Sequence, residues 1–352
     1  MNHKVKELID KLNDEHNLSR EDFIYLIDNQ SEEARKYAAE LAKTTTLSVY
    51  GDRVYVRGLI EFTNYCKNNC YYCGIRAGNT GVSRYRLTAD EICECADEGY
   101  DLGFRTYVLQ GGEDPYFTDE IICDIVRRIK AAHPDCAVTL SIGEKSRESY
   151  ARYKAAGADR FLLRHETATI AHYNQLHPKE MDAQNRYRCL EDLKELGYQA
   201  GAGFMVGSPF QTSENLTEDL LFIKDLEPAM VGIGPFIPAA GTPFENEPAG
   251  TLEQTLYLLS IIRLMIPEVL LPATTALGTI HPRGREMGLE AGANVLMPNL
   301  SPRAVRDKYK LYDNKICTGE EAAECVNCLE NRVKSVGRRI VVNRGDNIRF
   351  SN

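Results

Sequence analysis

A closed (β/α)8 barrel of TIM type, an α/β fold with an N-terminal helical cap and a C-terminal extension, is predicted by three features of the sequence. Short β-branched runs recur from Val54 onward, amphipathic helical stretches alternate with them, and the eight runs fit the roughly 250 residues that such a barrel needs. The runs are VYVRGLIEF, TYVLQ, AVTLSI, RFLLRH, QAGAGFMV, MVGIGPFI, LLPATTA and NVLMPN. Between them lie TADEICECADEGYDLG, DEIICDIVRRIKAAH, SRESYARYKAAGA, MDAQNRYRCLEDLKELG, SENLTEDLLFIKDL and TLEQTLYLLSIIRLM. Strands that alternate with helices pair in parallel through right-handed crossovers. The rival, an open doubly wound sheet, carries a glycine fingerprint at its first strand-to-helix turn, and cysteines stand there instead. Glycines 201, 203, 232 and 234 lie in the fifth and sixth runs, where a ligand or a neighbouring backbone comes close.

Residues 1–50 read as a helical cap. Leu8, Ile9, Leu12 and Leu18 precede Phe23, Leu26 and Ile27, and Ser19 and Ser31 are the expected N-caps. Residues 51–300 form the barrel. Residues 301–352 read as helices and a loop that extend it.

The 352 residues carry a net charge of −9, which argues against a nucleic-acid backbone as main partner. No apolar run approaches the ~20 residues of a membrane helix, and the charged N-terminus MNHKVKELIDKLNDEHNLSR has no secretory core. A cytoplasmic protein without membrane or nucleic-acid partners is the expectation. Eleven cysteines, an odd number without a secretory signal, point to metal, cluster or redox use rather than a disulfide framework.

Cys66, Cys70 and Cys73 form C-x3-C-x2-C in the loop after the first barrel strand. A structural zinc site needs a fourth ligand, and no Cys or His lies nearby. The x2-x2-x3 spacing of two-cluster ferredoxins does not match either. Three thiolates on a cubane leave its fourth iron open to an external ligand. Cys93, Cys95, Cys123, Cys136 and Cys189 show no ligand spacing and read as core cysteines.

The triplet, with Tyr72 before its last cysteine, resembles the signature of radical S-adenosylmethionine (SAM) enzymes. That resemblance implies a 4Fe-4S cluster on the three thiolates. SAM then chelates the open iron through its amino and carboxylate groups and is cleaved by one electron to methionine and a 5′-deoxyadenosyl radical. By the same resemblance Gln110, Gly111, Gly112 and Glu113, at the end of the second run, bind the SAM ammonium. Glu166 takes the ribose hydroxyls and Arg186 the carboxylate. The stretches 203–207 and 234–238 cradle adenine and ribose.

Within that superfamily the runs LRHETA, MVGIGPFIPAAGTPFENE, PATTALGTIHPRGRE and ANVLMPN resemble the radical SAM maturases of FeFe-hydrogenase, from about residue 50 to 330. So does a second triplet, Cys317, Cys325 and Cys328, which some members use for an accessory 2Fe-2S or 4Fe-4S cluster; three plain cysteines or zinc remain the alternatives. The resemblance implies an iron–carbonyl–cyanide–cysteine substrate for assembly of the diiron site. Arg164, Thr274 and Thr275 are the candidates to grip its carboxylate, and Met297, Tyr309 and Tyr312 to line the chamber. Implied partners are a second radical SAM maturase, a GTPase scaffold and a low-potential ferredoxin or flavodoxin. Two positions depart from the pattern: Phe210 stands where glycine is common, and Gly111 where some relatives have serine. Methylornithine synthase, biotin synthase and a non-catalytic iron–sulfur carrier or sensor are the alternatives.

Overall fold

The computed structural model describes residues 1–318 and 322–350, with side chains described throughout these except at 322–327. The expected strand positions close into a ring. The first strand is interrupted at Arg57 into Arg53–Val56 and Gly58–Thr63. Its second part begins a parallel series through Thr106–Gly111, Ala137–Ser141, Arg160–Leu162, Gln199–Ala202 and Met230–Val231. Met230 bridges to Leu270, Pro272 bridges to Val295, and Val295–Leu296 pairs back onto Tyr55 and Val56.

The seventh run is shorter than the sequence predicts. Pro272 has no N–H to continue a ladder, and Thr275 already begins the helix Thr275–Ile280, so Thr274 and Thr275 are turn and helix rather than strand. The fifth and sixth runs break as well, resuming as the pair Met205–Val206 and Gly234–Pro235. Gly203 lies at the break with φ +154°, and a Cβ there would stand 2.0 Å from the Gly232 carbonyl oxygen. Only glycine lets the two strands approach so closely.

Helices form at all six expected places: Ala89–Asp101, Asp119–Ala132, Arg147–Ala156, Ala183–Glu195, Ser213–Leu226 and Leu252–Met265. Thr88 and Thr212 start theirs with capping boxes. The buried residues Ile122, Ile125, Val126 and Ile129 follow helical spacing and turn one face of Asp119–Ala132 to the sheet.

The cap is three helices, His3–Glu15, Arg20–Asp28 and Glu32–Tyr50, the latter two capped by Ser19 and Ser31. Ala34, Ala38, Ala42 and Thr46 recur every fourth residue on the buried side of the third. Their small size brings it close to the barrel, where Thr46 Oγ1 donates to the Gly292 carbonyl at 3.0 Å.

Residues after 300 return to both ends of the barrel. Residues 308–317 cross its C-terminal mouth, and Arg339–Val341 adds in parallel to Arg53–Val56. The chain then passes under the floor, where Asp346 meets buried Arg160 at 2.5 Å and Arg344 at 2.8 Å. Burial alone would raise the Asp346 pKa, but the Arg160 charge and hydrogen bonds from Arg344 and Gln199 outweigh it and hold it down at about 2. A carboxylate with a depressed pKa stabilises the fold above its unfolded value of about 3.9 and loses that contribution as pH falls towards 2. Asp346→Asn is therefore expected to cost ~2 kcal/mol at pH 7 and much less near pH 2.5, as read by denaturant melts at the two pH values.

Candidate active site

The cysteine loop leaves the C-terminal end of the first strand, where barrel enzymes place their chemistry. It is pinned on several sides. Lys67 N donates to the Glu113 carbonyl (2.9 Å), Tyr71 N to Leu176 (3.0 Å) and Gly74 N to Leu311 (2.8 Å). Arg84 adds donations to the carbonyls of Asn64, Ile75, Arg76 and Asn79. A Cβ on Gly112 would stand 2.2 Å from the Tyr65 carbonyl oxygen and 2.7 Å from Cys66 Cβ. Gly112, at the end of the second strand, thus makes room for the cysteine loop itself.

Cys66, Cys70 and Cys73 are part-exposed. Burial raises all three thiol pKa values, Cys73 to about 12, and neighbouring cysteines raise those of Cys70 and Cys73 further. Three thiols carried on one loop are a donor set for iron. Among the described residues no three Cys, His, Asp or Glu side chains converge as ligands of one metal ion do.

Cys70 lies in the field of Arg186 and Glu166, and Tyr72 in that of Glu166, Cys70 and Arg186, so the structure brings these four together. Tyr72 Oη stands 3.2 Å from His177 Nε2. His177 Nδ1 is 2.9 Å from the Tyr173 carbonyl and donates to it, which leaves Nε2 to accept from Tyr72. Burial and the Arg186 charge lower the His177 pKa to about 3, so the ring is neutral at pH 7.

Glu166 sits at φ +68°, a conformation an ordinary side chain adopts only when its surroundings enforce it. Three contacts do so. Glu166 N donates to the Gly203 carbonyl (3.1 Å), Gly203 N donates to His165 Nδ1 (3.3 Å), and His165 Nε2 faces the buried Asp219 carboxylate at 3.4 Å. Asp219 also accepts from Ala168 N, so it clamps the turn on both sides of Glu166.

Around this turn acid and base alternate. Arg186 Nε stands 2.9 Å from Glu144 Oε1, off hydrogen-bond alignment, and Arg186 Nη1 donates to the Arg164 carbonyl at 3.0 Å. Arg164 Nη2 is 3.5 Å from Glu166 Oε2. Arg164 Nε and Nη2, Arg186 Nε, Glu144 Oε1, Glu166 Oε2 and Thr274 Oγ1 are buried without a hydrogen-bond partner. Buried polar atoms left open are costly. Two guanidinium and two carboxylate groups left open beside three thiols suit a ligand that carries both charge signs.

The other expected residues fall into three places. Gln110 Nε2 donates to Tyr309 Oη at 3.3 Å, and Tyr309 lies beside Cys73, so both line the barrel under the cysteine loop. Tyr312 and Thr275 sit farther round the mouth with Arg285, whose Nη2 reaches Thr275 Oγ1 at 3.5 Å and Cys317 Sγ at 3.3 Å. Met297 packs deeper, with Leu162 and Met230. Glu113 is buried over Gly143: Glu144 N donates to its Oε1 (3.1 Å) and Lys67 pairs with Oε2 (3.3 Å). Gly111 packs against Phe62 and Thr63.

Of the second triplet, Cys317 is half-buried at φ +64° and Cys328 is exposed on the helix Ala322–Ser335. The Cys325 side chain lies outside the described residues. Phe210 adopts φ +65°, a conformation that favours glycine, and its exposed ring meets Phe244 edge-on.

Glu144, Asp219, Arg285 and a buried pair inside the barrel escaped sequence reasoning. In that pair Lys315, from the segment across the mouth, meets Glu61 of the first strand at 2.5 Å, and Asn299 Nδ2 donates to the other Glu61 oxygen at 2.8 Å. Charges at the C-terminal ends of barrel strands were the available signal for Glu144. No local pattern marks Asp219, which acts from a helix behind the sheet.

Residues 60–223 match the family model of the radical SAM superfamily. The chain is 48% identical over 300 residues to the FeFe-hydrogenase maturase subunit HydE of Thermotoga maritima, covering 85% of each chain. It is 28% identical to the 3-methylornithine synthase of Methanosarcina acetivorans, over 91% of this chain and 89% of that one. The crystal structure of a methylornithine synthase superposes with a TM-score of 0.82 at 24% identity, over 95% of this chain and 97% of that one, which shows the shared barrel. Among the described residues no helix is long and apolar enough to cross a membrane.

Proposed function

The chain belongs to the HydE family of FeFe-hydrogenase maturases, which are radical SAM enzymes, and on that premise we propose how its residues divide the work. Cys66, Cys70 and Cys73 hold the 4Fe-4S cluster. The buried alternation of Glu144, Arg186, Arg164 and Glu166 carries this reading, because its open polar atoms beside the three thiols match a zwitterionic, ribose-bearing ligand. Arg186 presents a planar two-point donor to the SAM carboxylate, and Glu166 accepts from the ribose hydroxyls. The motif Gln110, Gly111, Gly112 and Glu113 binds the ammonium. Cluster and SAM together supply reductive cleavage of the sulfonium carbon–sulfur bond, and the chain binds, orients and excludes water.

Substrate enters the barrel beyond the cofactor. Arg164, Thr274 and Thr275 grip a carboxylate there, supported by the open Thr274 hydroxyl and by Arg285, whose guanidinium meets Thr275 and Cys317. Tyr309 and Tyr312 line the upper chamber and Met297 its lower part. An iron–carbonyl–cyanide–cysteine species fits this polar, arginine-rich lining, delivered by the partner radical SAM maturase and passed to the GTPase scaffold. Cys317, Cys325 and Cys328 hold an accessory cluster that takes no part in the reaction.

Anaerobic maturation of an apo FeFe-hydrogenase tests the reading. Hydrogen evolution is expected only when this protein joins the other maturation proteins. SAM cleavage without maturation would move the substrate towards the methylornithine type.

A further inference from the structure

The left-handed turn at Glu166 is wired to the elements around it residue by residue. Tyr187 Oη donates to the Thr167 carbonyl at 2.8 Å. His172 Nε2 lies 3.0 Å from the Pro209 carbonyl and donates to it, so Nδ1, 3.1 Å from Thr167 Oγ1, accepts from that hydroxyl. Behind Glu166 stand His165 and Asp219, both fully buried.

Gly203 N donates to His165 Nδ1, so the proton of the ring sits on Nε2, 3.4 Å from Asp219 Oδ1. The same oxygen accepts from Ala168 N at 2.5 Å, and the Gly203 carbonyl accepts from Glu166 N at 3.1 Å. These contacts close a circuit from Glu166 through Gly203, His165 and Asp219 to Ala168, with the strained residue inside it. Phe204 and Phe222 pack on the His165 ring, with centroids 5.8 and 4.6 Å away, and hold its plane.

For stability alone Asp219 is a poor choice. Its carboxylate is buried on the helix Ser213–Leu226, and Oδ2 has no hydrogen-bond partner among the described residues. Both features are costly, and an apolar residue would fill the space at less cost. What the acid provides is one oxygen that faces two donors, Ala168 N and His165 Nε2, and with it a fixed His165 tautomer. Its helix is anchored from outside as well, where Glu218 Oε1 accepts from Arg20 Nε of the cap at 2.6 Å.

We infer that Asp219, acting through His165, is a positioning residue for cofactor binding: it holds the Glu166 turn in the conformation that presents the carboxylate to the ribose hydroxyls. This deepens the reading above and rests on its assignment of Glu166 to SAM. No bond forms or breaks at either residue. Both support the group that meets the ligand, as partners behind a binding side chain do.

The test reads calorimetric SAM affinity and the kinetics of 5′-deoxyadenosine formation on anaerobically reconstituted protein. Asp219→Leu is expected to weaken SAM binding and raise KM for SAM about tenfold, with kcat within about threefold of wild type and iron content unchanged. Asp219→Asn keeps the shared acceptor oxygen and is expected to bind SAM within about threefold of wild type. In a Glu166→Ala background Asp219→Leu is expected to add less than about a twofold loss, because the group it positions is gone. Equal losses with and without Glu166, a loss in Asp219→Asn as large as in Asp219→Leu, or Asp219→Leu that binds SAM as wild type does would overturn the proposal. If Asp219→Leu does not fold, His165→Phe takes its place in the cycle, since it keeps a ring against Phe204 and Phe222 and removes the acceptor for Gly203 N; the same additivity decides. Glu166→Ala that binds SAM as tightly as wild type would instead overturn the ribose assignment beneath the proposal.

Discussion

Cys70→Ala is expected to reduce iron content after anaerobic reconstitution to a small fraction of wild type and to lower SAM cleavage by a factor on the order of 10³ or more. Cys70 is the thiol closest in field to both Arg186 and Glu166, so removing it takes away an iron ligand on the cofactor side. The fold should not suffer. The loop is held by backbone hydrogen bonds from Lys67, Tyr71 and Gly74 and by Arg84, none of which involves the sulfur. Thermal unfolding of the unreconstituted variant should therefore match wild type, and this separates loss of a ligand from loss of the loop.

Arg186→Met has the second large effect, and it acts on stability and binding together. Arg186 lies buried between Glu144 and the strand-four turn, with Glu166 in its field. Deleting its charge leaves buried carboxylate uncompensated, which typically costs ~3–5 kcal/mol. Loss of the two-point donor is expected to weaken SAM binding by roughly 30-fold or more, since charge-assisted hydrogen bonds contribute about 1.5–3 kcal/mol each. Arg186→Lys restores the charge without the planar fork, so it should recover most of the stability and little of the affinity. Iron content should hold in both variants, and calorimetric SAM titration of the reconstituted proteins reads the difference.

The barrel was legible because its alternation of β-branched runs and amphipathic helices is a local signal repeated along the chain. The six helices and the caps at Ser19 and Ser31 follow from spacing and capping chemistry alone. The seventh strand is shorter than its apolar run because Pro272 has no N–H to donate and Thr275 already begins a helix. At the site, the cysteine triplet and the turn bearing Glu166 are contiguous motifs and could be read directly. Glu144, Asp219, Arg285 and the Glu61–Lys315 pair could not, because each meets its partner only after distant segments fold together. Lys315 and Glu61 are 254 residues apart in sequence and in contact in the barrel. The glycine pair shows a subtler limit: the motif is visible in the sequence, but the cysteine loop presses against Gly112 only in the folded chain.

The central claim is that the first cysteine triplet, with the pocket at Glu166 and Arg186, performs reductive SAM cleavage. Its most direct measurement is 5′-deoxyadenosine formed from SAM by the anaerobically reconstituted protein under dithionite, alongside iron content, for wild type, Glu166→Ala and Cys70→Ala. Cleavage by wild type, loss with retained iron in Glu166→Ala, and loss of both in Cys70→Ala is the predicted result. Iron-loaded wild-type protein that leaves SAM intact, or Glu166→Ala that binds and cleaves it as wild type does, would contradict the assignment.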